Sequence, residues 1–348
     1  MNTWDVIIAG AGIIGVSLAL ELRERGAKVL VLDKGEPGNE SSSAAAGMLA
    51  AIDPETPLAL RPLALESARV FPEYVARLEE ISGVETDFRR HGTIALLDSS
   101  AVSPAGYQRV SANDLGRFEP LLHCAGQQAF FIREDTVDPR LLMRAALAAA
   151  LNRGVEIRGS TQALTVRSRE KHVEVETAAD TLQAKAVVNC RGAWSGAPVR
   201  PRKGQMLYVQ TPQRDLLRHV IHAPDVYIVP RGSGKILVGA TVEDVGFDKT
   251  VFPSTIEQLL SVAARYLPEL RSAPVVESWA GLRPGTPDDL PILGPTDIPG
   301  VFAATGHFRN GILLAPITAT IMADVIAGKE PKLDISPFSI ARFASVKG

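Results

Sequence analysis

Apolar and polar positions divide the chain into two alternating kinds of segment. Asp5-Val-Ile-Ile-Ala9 carries an unbroken apolar run of strand length, and Gly15 to Arg25 places apolar residues at 16, 18, 19 and 22, one face of a helix. Val29-Leu-Val-Leu32 is a second apolar strand, which a right-handed crossover lays parallel to the first. Such a βαβ unit opens a doubly wound sheet. Glu36 to Ala46 is a Gly-, Ser- and Ala-rich loop, and Ala59 to Ile81 has helical periodicity that Pro62 and Pro72 are expected to break into pieces.

From Val84 to Asp135 the pattern changes to short runs such as Gly92-Thr-Ile-Ala-Leu-Leu97 and Gln128-Ala-Phe-Phe-Ile132, the mark of an inserted antiparallel piece. Arg140 to Asn152 predicts a helix, Val155-Glu-Ile157 a short strand, and the runs at 163–168, 172–177 and 181–184 a small meander. Ala186-Val-Val-Asn189 returns as a buried strand that leads to Gly192. Residues 204–241 alternate as half-exposed antiparallel strands do. Ser254 to Tyr266 predicts a capped helix, and Val301–Thr305 followed by Gly311–Ile326 a closing strand-to-helix turn.

The fold class expected is α/β. A nucleotide-binding domain from residues 1–84, 138–198 and 278–348 is interleaved with a mainly antiparallel α+β domain from 85–137 and 199–277.

Composition narrows the partners. With 46% hydrophobic and 22% charged residues, a chain of 348 residues buries a large core, which excludes disorder, a coiled coil and a small disulfide scaffold. Lys+Arg 37 against Asp+Glu 39 leaves a net charge of −2, so nucleic acid and anionic membranes are not expected partners and a small ligand is. Cys124 and Cys190 form no CxxC and read as plain buried residues of a reducing compartment. The apolar stretch Val6 to Leu20 lacks a preceding basic segment, and the run Gly311 to Ala323 is too short for a membrane span and holds Pro316. A cytoplasmic protein is expected.

Gly10-Ala-Gly12-Ile-Ile-Gly15 fits GxGxxG between a strand and a helix. Gly10 permits the tight turn, Gly12 lets backbone approach a pyrophosphate at the helix N-terminus, and Gly15 allows close helix-to-strand packing. Asp33, at the end of the second strand, stands where a carboxylate accepts hydrogen bonds from ribose hydroxyls and speaks against a 2′-phosphate. The motif alone does not separate NAD from FAD. No second GxGxxG follows, so a single dinucleotide is expected.

Further segments carry a resemblance: Ser43-Ala-Ala-Ala-Gly47-Met48-Leu49, Val137-Asp-Pro-Arg140, Val188-Asn-Cys-Arg-Gly-Ala-Trp-Ser195, Pro201-Arg-Lys-Gly-Gln-Met-Leu207, Tyr227-Ile-Val-Pro-Arg231, Gly239-Ala-Thr241, Trp279-Ala-Gly-Leu-Arg-Pro284, Leu290-Pro-Ile-Leu-Gly294 and Gly306-His-Phe-Arg-Asn-Gly-Ile-Leu-Leu-Ala-Pro316. In this order, along nearly the whole chain, they resemble the FAD-dependent D-amino-acid oxidase superfamily, and within it the glycine oxidases of thiamine biosynthesis. The resemblance implies a Rossmann-like FAD-binding domain of the glutathione-reductase type, noncovalent FAD at the domain interface, and oxidation of glycine or another small amino acid or secondary amine to the imine, with O2 reduced to H2O2. It also implies a cofactor site of Gly10, Gly12, Ile14, Gly15, Asp33, Lys34, Ser42, Ser43, Ala46, Gly47, Met48, Gly192 and the turn Gly306, His307, Arg309, Asn310, Gly311 and Ile312. The family pattern matches Arg283 to the arginine that binds the substrate carboxylate, Arg309 to a second pocket arginine, and Tyr227 to an assisting hydroxyl, with Met48 shared between cofactor and substrate. A homotetramer is implied by resemblance alone. His222 and Val242 depart from the larger or sulfur-containing side chains of some glycine oxidases, which leaves the substrate range open.

The chemistry supports these roles separately. Oxidising an amino acid requires its Cα–H to point at flavin N5, and a planar guanidinium fork is the best remote clamp for aiming it. Arg283 and Arg309 lie in apolar or glycine-rich stretches, unusual surroundings for a charge. No general base is visible, and hydride transfer from a neutral amine needs none. His219, His222 and Asp225 suggest a metal only weakly, because strand alternation puts 219 and 222 on opposite faces, and no metal is expected. Arg200, Arg202 and Lys203 read as a solvated loop. Two alternatives stay open: a flavin dehydrogenase of amino acids or 2-hydroxyacids that uses another electron acceptor, and a nucleotide-binding sensor without turnover.

Overall fold

The computed structural model describes residues 3–98, 100, 104–124 and 126–346. The chain opens with β1 (Thr3–Ala9), α1 (Ile13–Glu24) and β2 (Val29–Leu32), followed by the single-turn α2 (Ser41–Ala44) and the long α3 (Arg61–Ser82). Next come β3 (Thr93–Leu97), β4 (Gln108–Arg109), α4 (Ala112–Phe118) and β5 (Gln128–Ile132). α5 (Pro139–Asn152) leads into β6 (Glu156–Arg158), β7 (Thr165–Ser168), β8 (Val173–Glu176) and β9 (Thr181–Asn189). β10 (Arg200–Gln210), β11 (Val220–Ala223), β12 (Val226–Pro230) and β13 (Lys235–Gly239) precede α6 (Pro253–Tyr266). β14 (Val275–Gly285), β15 (Ile292–Pro295), β16 (Val301–Thr305) and α7 (Gly311–Ile326) complete the elements that matter here.

The strands form two sheets. In the first, the order is β15-β16-β9-β1-β2-β6, and β16, β9, β1, β2 and β6 run parallel. β7 and β8 attach to β9 as an antiparallel meander. The apolar run of residues 6–9 is buried on both faces, as expected where helices cover one side of the sheet and the meander the other. The second sheet has the order β14-β10-β13-β12-β11-β3-β5-β4 and is antiparallel except where β3 lies parallel to β11. α6 covers one of its faces with Ile256, Leu259 and Ala263.

Several sequence expectations change here. α3 is one continuous helix: Pro62 sits in its first turn, where a missing N–H removes no helical bond. Pro72 lies within it and is offset by the buried stripe Leu63, Phe71, Val75 and Leu78, which joins the core that α7 and α5 share. Ser254 does not cap α6, since the helix starts at Pro253 after an extended Phe252. The expected boundary at 278 falls inside β14, all eleven residues of which belong to the second sheet. The run Arg200 to Lys203 is no loop: it opens β10, and the Lys203 side chain is wholly buried.

The last helix is also longer than its apolar run suggests. With its preceding turn it spans Phe308–Ile326, long and apolar enough by length and composition to cross a membrane. Its residues are apolar nearly all round because it packs in the core beside α1 and α3, and the Ser67 hydroxyl of α3 donates to the Leu313 carbonyl. Both cysteines are free, with Cys190 buried and Cys124 only partly covered.

Candidate functional site

A cavity of about 980 Å³ lies between the C-terminal ends of the first sheet's strands and the second sheet. Its floor is the turn after β1, at the point where the strand order reverses between β9 and β2. Gly10 has φ +113°, and a Cβ there would stand 2.3 Å from the Cys190 carbonyl oxygen. Gly12 occupies the N-cap of α1 and, as glycine, brings no capping side chain of its own. Gly15 is packed so closely that a Cβ would meet the Gly10 carbonyl. The Asp33 carboxylate, on the cavity wall, accepts from Ala11 N–H at 2.7 Å and Gly35 N–H at 2.9 Å. A carboxylate has about four acceptor sites, so capacity remains for a diol.

The segment 41–48 crosses the cavity as a strap, and donors from α5 and from the second sheet and the turn after its β12 hold its carbonyls. Trp279 Nε1 donates to Ala44 O at 3.1 Å, Arg140 Nε to Ser43 O at 3.4 Å, and Arg231 Nη2 to Ala46 O. Arg140 is itself fixed by two hydrogen bonds to Glu277, at 3.0 and 2.6 Å. That pairing raises the Arg140 pKa and lowers that of Glu277. Ser42 Oγ accepts from Ile13 N–H at 2.9 Å, tying the strap to the start of α1. These holders were visible in the sequence only as parts of motifs, without a role.

The opposite wall comes from β10, β12, β13 and β14. Arg283 Nη1 donates to Thr241 O at 3.1 Å, and its guanidinium lies flat on Gly204, where a Cβ would stand 2.2 Å from Nη1. Tyr227 Oη contacts Met206 Sδ at 3.2 Å. Burial raises the phenol's pKa, and Arg283 and then Arg309 offset this only partly, so it stays protonated at neutral pH.

Most of the residues singled out in the sequence border this cavity: Gly10, Gly12, Ile14, Asp33, Lys34, Ser42, Ala46, Gly47, Met48, Gly192, Tyr227, Arg283, His307, Arg309, Asn310, Gly311 and Ile312. Gly15 and Gly306 lie behind the wall. Ser43 is turned away, its hydroxyl donating to Gly38 O at 2.7 Å, and Ser41 stands on the cavity instead. The His307 ring points into the core, 3.1 Å from Thr318 Oγ1, where burial lowers its pKa to about 3 and keeps it neutral. Arg309 is at the rim and pairs with Glu55, both largely exposed, so its setting is less apolar than the sequence suggests. Lys34 stacks over the Trp194 ring at 3.5 Å, and burial lowers its pKa.

Asp53, Glu55 and Thr56, from the loop after the strap, line the cavity and were not anticipated, because Ala50 to Pro57 has no periodic signal. Val242 lines it and His222 does not. The residues weighed for a metal are engaged elsewhere, His219 with Glu119 at 2.7 Å and Asp225 with Arg265 at 3.0 Å.

A dinucleotide cleft at a switch point, closed by a second sheet that presents a guanidinium and a phenol, defines a dinucleotide-dependent oxidoreductase. The chain belongs to the DAO family of FAD dependent oxidoreductases, whose family model matches residues 5–325. It is 38% identical over 98% of its length to the bifunctional protein ThiO/ThiG of Trichormus variabilis, and it spans about half of that relative, 55%. It is 34% identical to glycine oxidase of Geobacillus kaustophilus, covering 98% of this chain and 97% of that one. The crystal structure of a glycine oxidase from the same organism superposes with a TM-score of 0.93 at 33% identity, over 98% of this chain and 99% of that one. This chain is also 33% identical to hydrogen cyanide synthase subunit HcnC of Pseudomonas aeruginosa, over 98% of its length and 97% of that relative's.

The cofactor is FAD. The residues present fit it: a glycine turn that a Cβ would obstruct, a helix N-terminus with glycine at its N-cap for the pyrophosphate, Asp33 for the ribose, and a cavity at the upper end of the range for small-molecule sites.

Proposed function

We propose that this enzyme oxidises glycine, or another small amino acid or secondary amine, to the imine, passing electrons on to O2 to give H2O2, and that it serves thiamine thiazole synthesis. Bound FAD supplies the hydride acceptor. The observation that carries the reading is Arg283, whose guanidinium faces the cavity beside the Tyr227 phenol and is hydrogen bonded to a neutral carbonyl. An anion-binding fork so placed fixes a carboxylate at one end of a small substrate and leaves its amine-bearing carbon to be aimed. Tyr227, protonated, donates to the substrate and takes no proton from it. The similarity to glycine oxidases along the whole chain supports the substrate, and the similarity to ThiO/ThiG supports the pathway.

Within this reading, the first sheet and its helices hold the cofactor and the second sheet forms the substrate wall. The test is anaerobic mixing of the purified yellow protein with a panel of small amino acids, followed by H2O2 measurement in air. Rapid loss of flavin colour with glycine and one H2O2 per turnover are expected. Loss of colour without H2O2 would replace the oxidase by a dehydrogenase, and no loss with any amine or 2-hydroxyacid would leave a sensor.

A further inference from the structure

Lys203 is wholly buried, which for an ammonium is costly unless a partner compensates. Its Nζ lies 3.4 Å from a Glu243 carboxylate oxygen, 4.0 Å from Asp248 and 4.7 Å from the centre of the Phe252 ring. Glu243 also accepts from the Thr241 hydroxyl and from Gln205 Nε2 at 2.8 Å. The backbones of Lys203 and Glu243 exchange two hydrogen bonds of 2.9 Å, and Thr241 Oγ1 accepts from Gln205 N–H at 2.9 Å. Residues 241–243 are thereby pinned to β10 through side chains and backbone together.

The Thr241 carbonyl is the acceptor for Arg283 Nη1. The guanidinium's flat side rests on Gly204, the residue between Lys203 and Gln205. Arg140, Arg309 and many other arginines of the chain form ion pairs, whereas no carboxylate among the described residues pairs with Arg283. A neutral acceptor orients the fork without cancelling its charge. Glu243 stands two residues from that acceptor, and its carboxylate is engaged by the Lys203 ammonium, Gln205 Nε2 and the Thr241 hydroxyl.

We propose that Lys203, Glu243 and Thr241 are positioning residues for the substrate carboxylate: the buried pair fixes the Thr241 carbonyl, which with the bare face of Gly204 sets the direction of the Arg283 fork. The proposal rests on the reading of Arg283 as the carboxylate clamp.

The test uses the holoenzyme and acetate as a carboxylate probe, followed by the change it causes in the flavin absorption spectrum, together with KM and kcat for glycine. Lys203→Met should retain FAD, raise the acetate Kd and the glycine KM about tenfold, the loss of one charge-assisted contact, and change kcat far less. Lys203→Arg should restore most of the affinity. In an Arg283→Ala background, Lys203→Met should add nothing, because the group it orients is gone. A weakening of the same size with and without Arg283 overturns the proposal and leaves the clamp standing. Unchanged acetate binding in Arg283→Ala alone overturns the clamp, and the proposal with it. If Lys203→Met does not hold FAD, Gly204→Ala decides: its Cβ displaces the guanidinium, so about tenfold weaker acetate binding is expected, and unchanged binding overturns the proposal.

Discussion

Arg283 is held by contacts that leave its charge unspent, and the consequences can be measured. Removing a desolvated charge partner costs about 3–5 kcal/mol. Arg283→Ala should therefore lower kcat/KM for glycine by about two to four orders of magnitude, at about 1.4 kcal/mol per tenfold, while FAD content is unchanged. Lysine at 283 should rescue only in part, since a point charge cannot reproduce the fork's two parallel bonds. The pH profile separates Tyr227 from the chemistry. Burial keeps its phenol protonated, so activity should rise with pH as the substrate ammonium loses its proton, and Tyr227→Phe should keep that limb. Loss of the limb in the Phe variant would make Tyr227 an acid or base. At this scale the sequence was informative where a residue's type limits its use, as with the glycines and Asp33. It was silent where burial decides. Lys203 sits in a basic run that looks solvated, and only its pairing with residues 243 and 282 shows it as a core residue.

Among the elements, the link between β5 and α5 carries a titrating group. Glu134 is buried beside β3, and burial raises its carboxyl from an ordinary 4.5 to about 8, with Asp53 and Asp135 adding to the rise against a Thr93 hydrogen bond. Between those values the unfolded chain releases a proton that the folded protein keeps. Stability should therefore fall as pH rises from about 4.5 towards 8, by on the order of 5 kcal/mol at most. Glu134→Gln should flatten this decline in chemical denaturation measured across that range, and an unchanged slope would assign it to other groups. The elements themselves were legible where one period held throughout, as in β1, α1 and β2. Continuity of α3 through Pro72 was not, because a tertiary core outweighs a local helix breaker. Nor was the reach of β14, whose residues 278–285 look like part of the cofactor domain until their pairing with β10 is seen.

For the whole molecule, the strap at 41–48 links the two sheets, so cofactor binding and global stability should be coupled. A ligand bound only by the folded state stabilises it by about 2.7 kcal/mol at a hundredfold excess over its Kd. Removing FAD should lower Tm by several degrees, and adding it back should restore the loss in proportion to the logarithm of its concentration. A Tm indifferent to FAD would mean that FAD does not bind the folded state in preference to the unfolded chain. The strap's position also bears on how the enzyme is made. Its carbonyls are tied to Arg140, Arg231 and Trp279 while its other side borders the cavity, so the strap closes over the dinucleotide's place like a clasp. Chains refolded with FAD present should reach full activity faster than chains refolded without it and supplied afterwards, because late-arriving cofactor has to wait for the clasp to open.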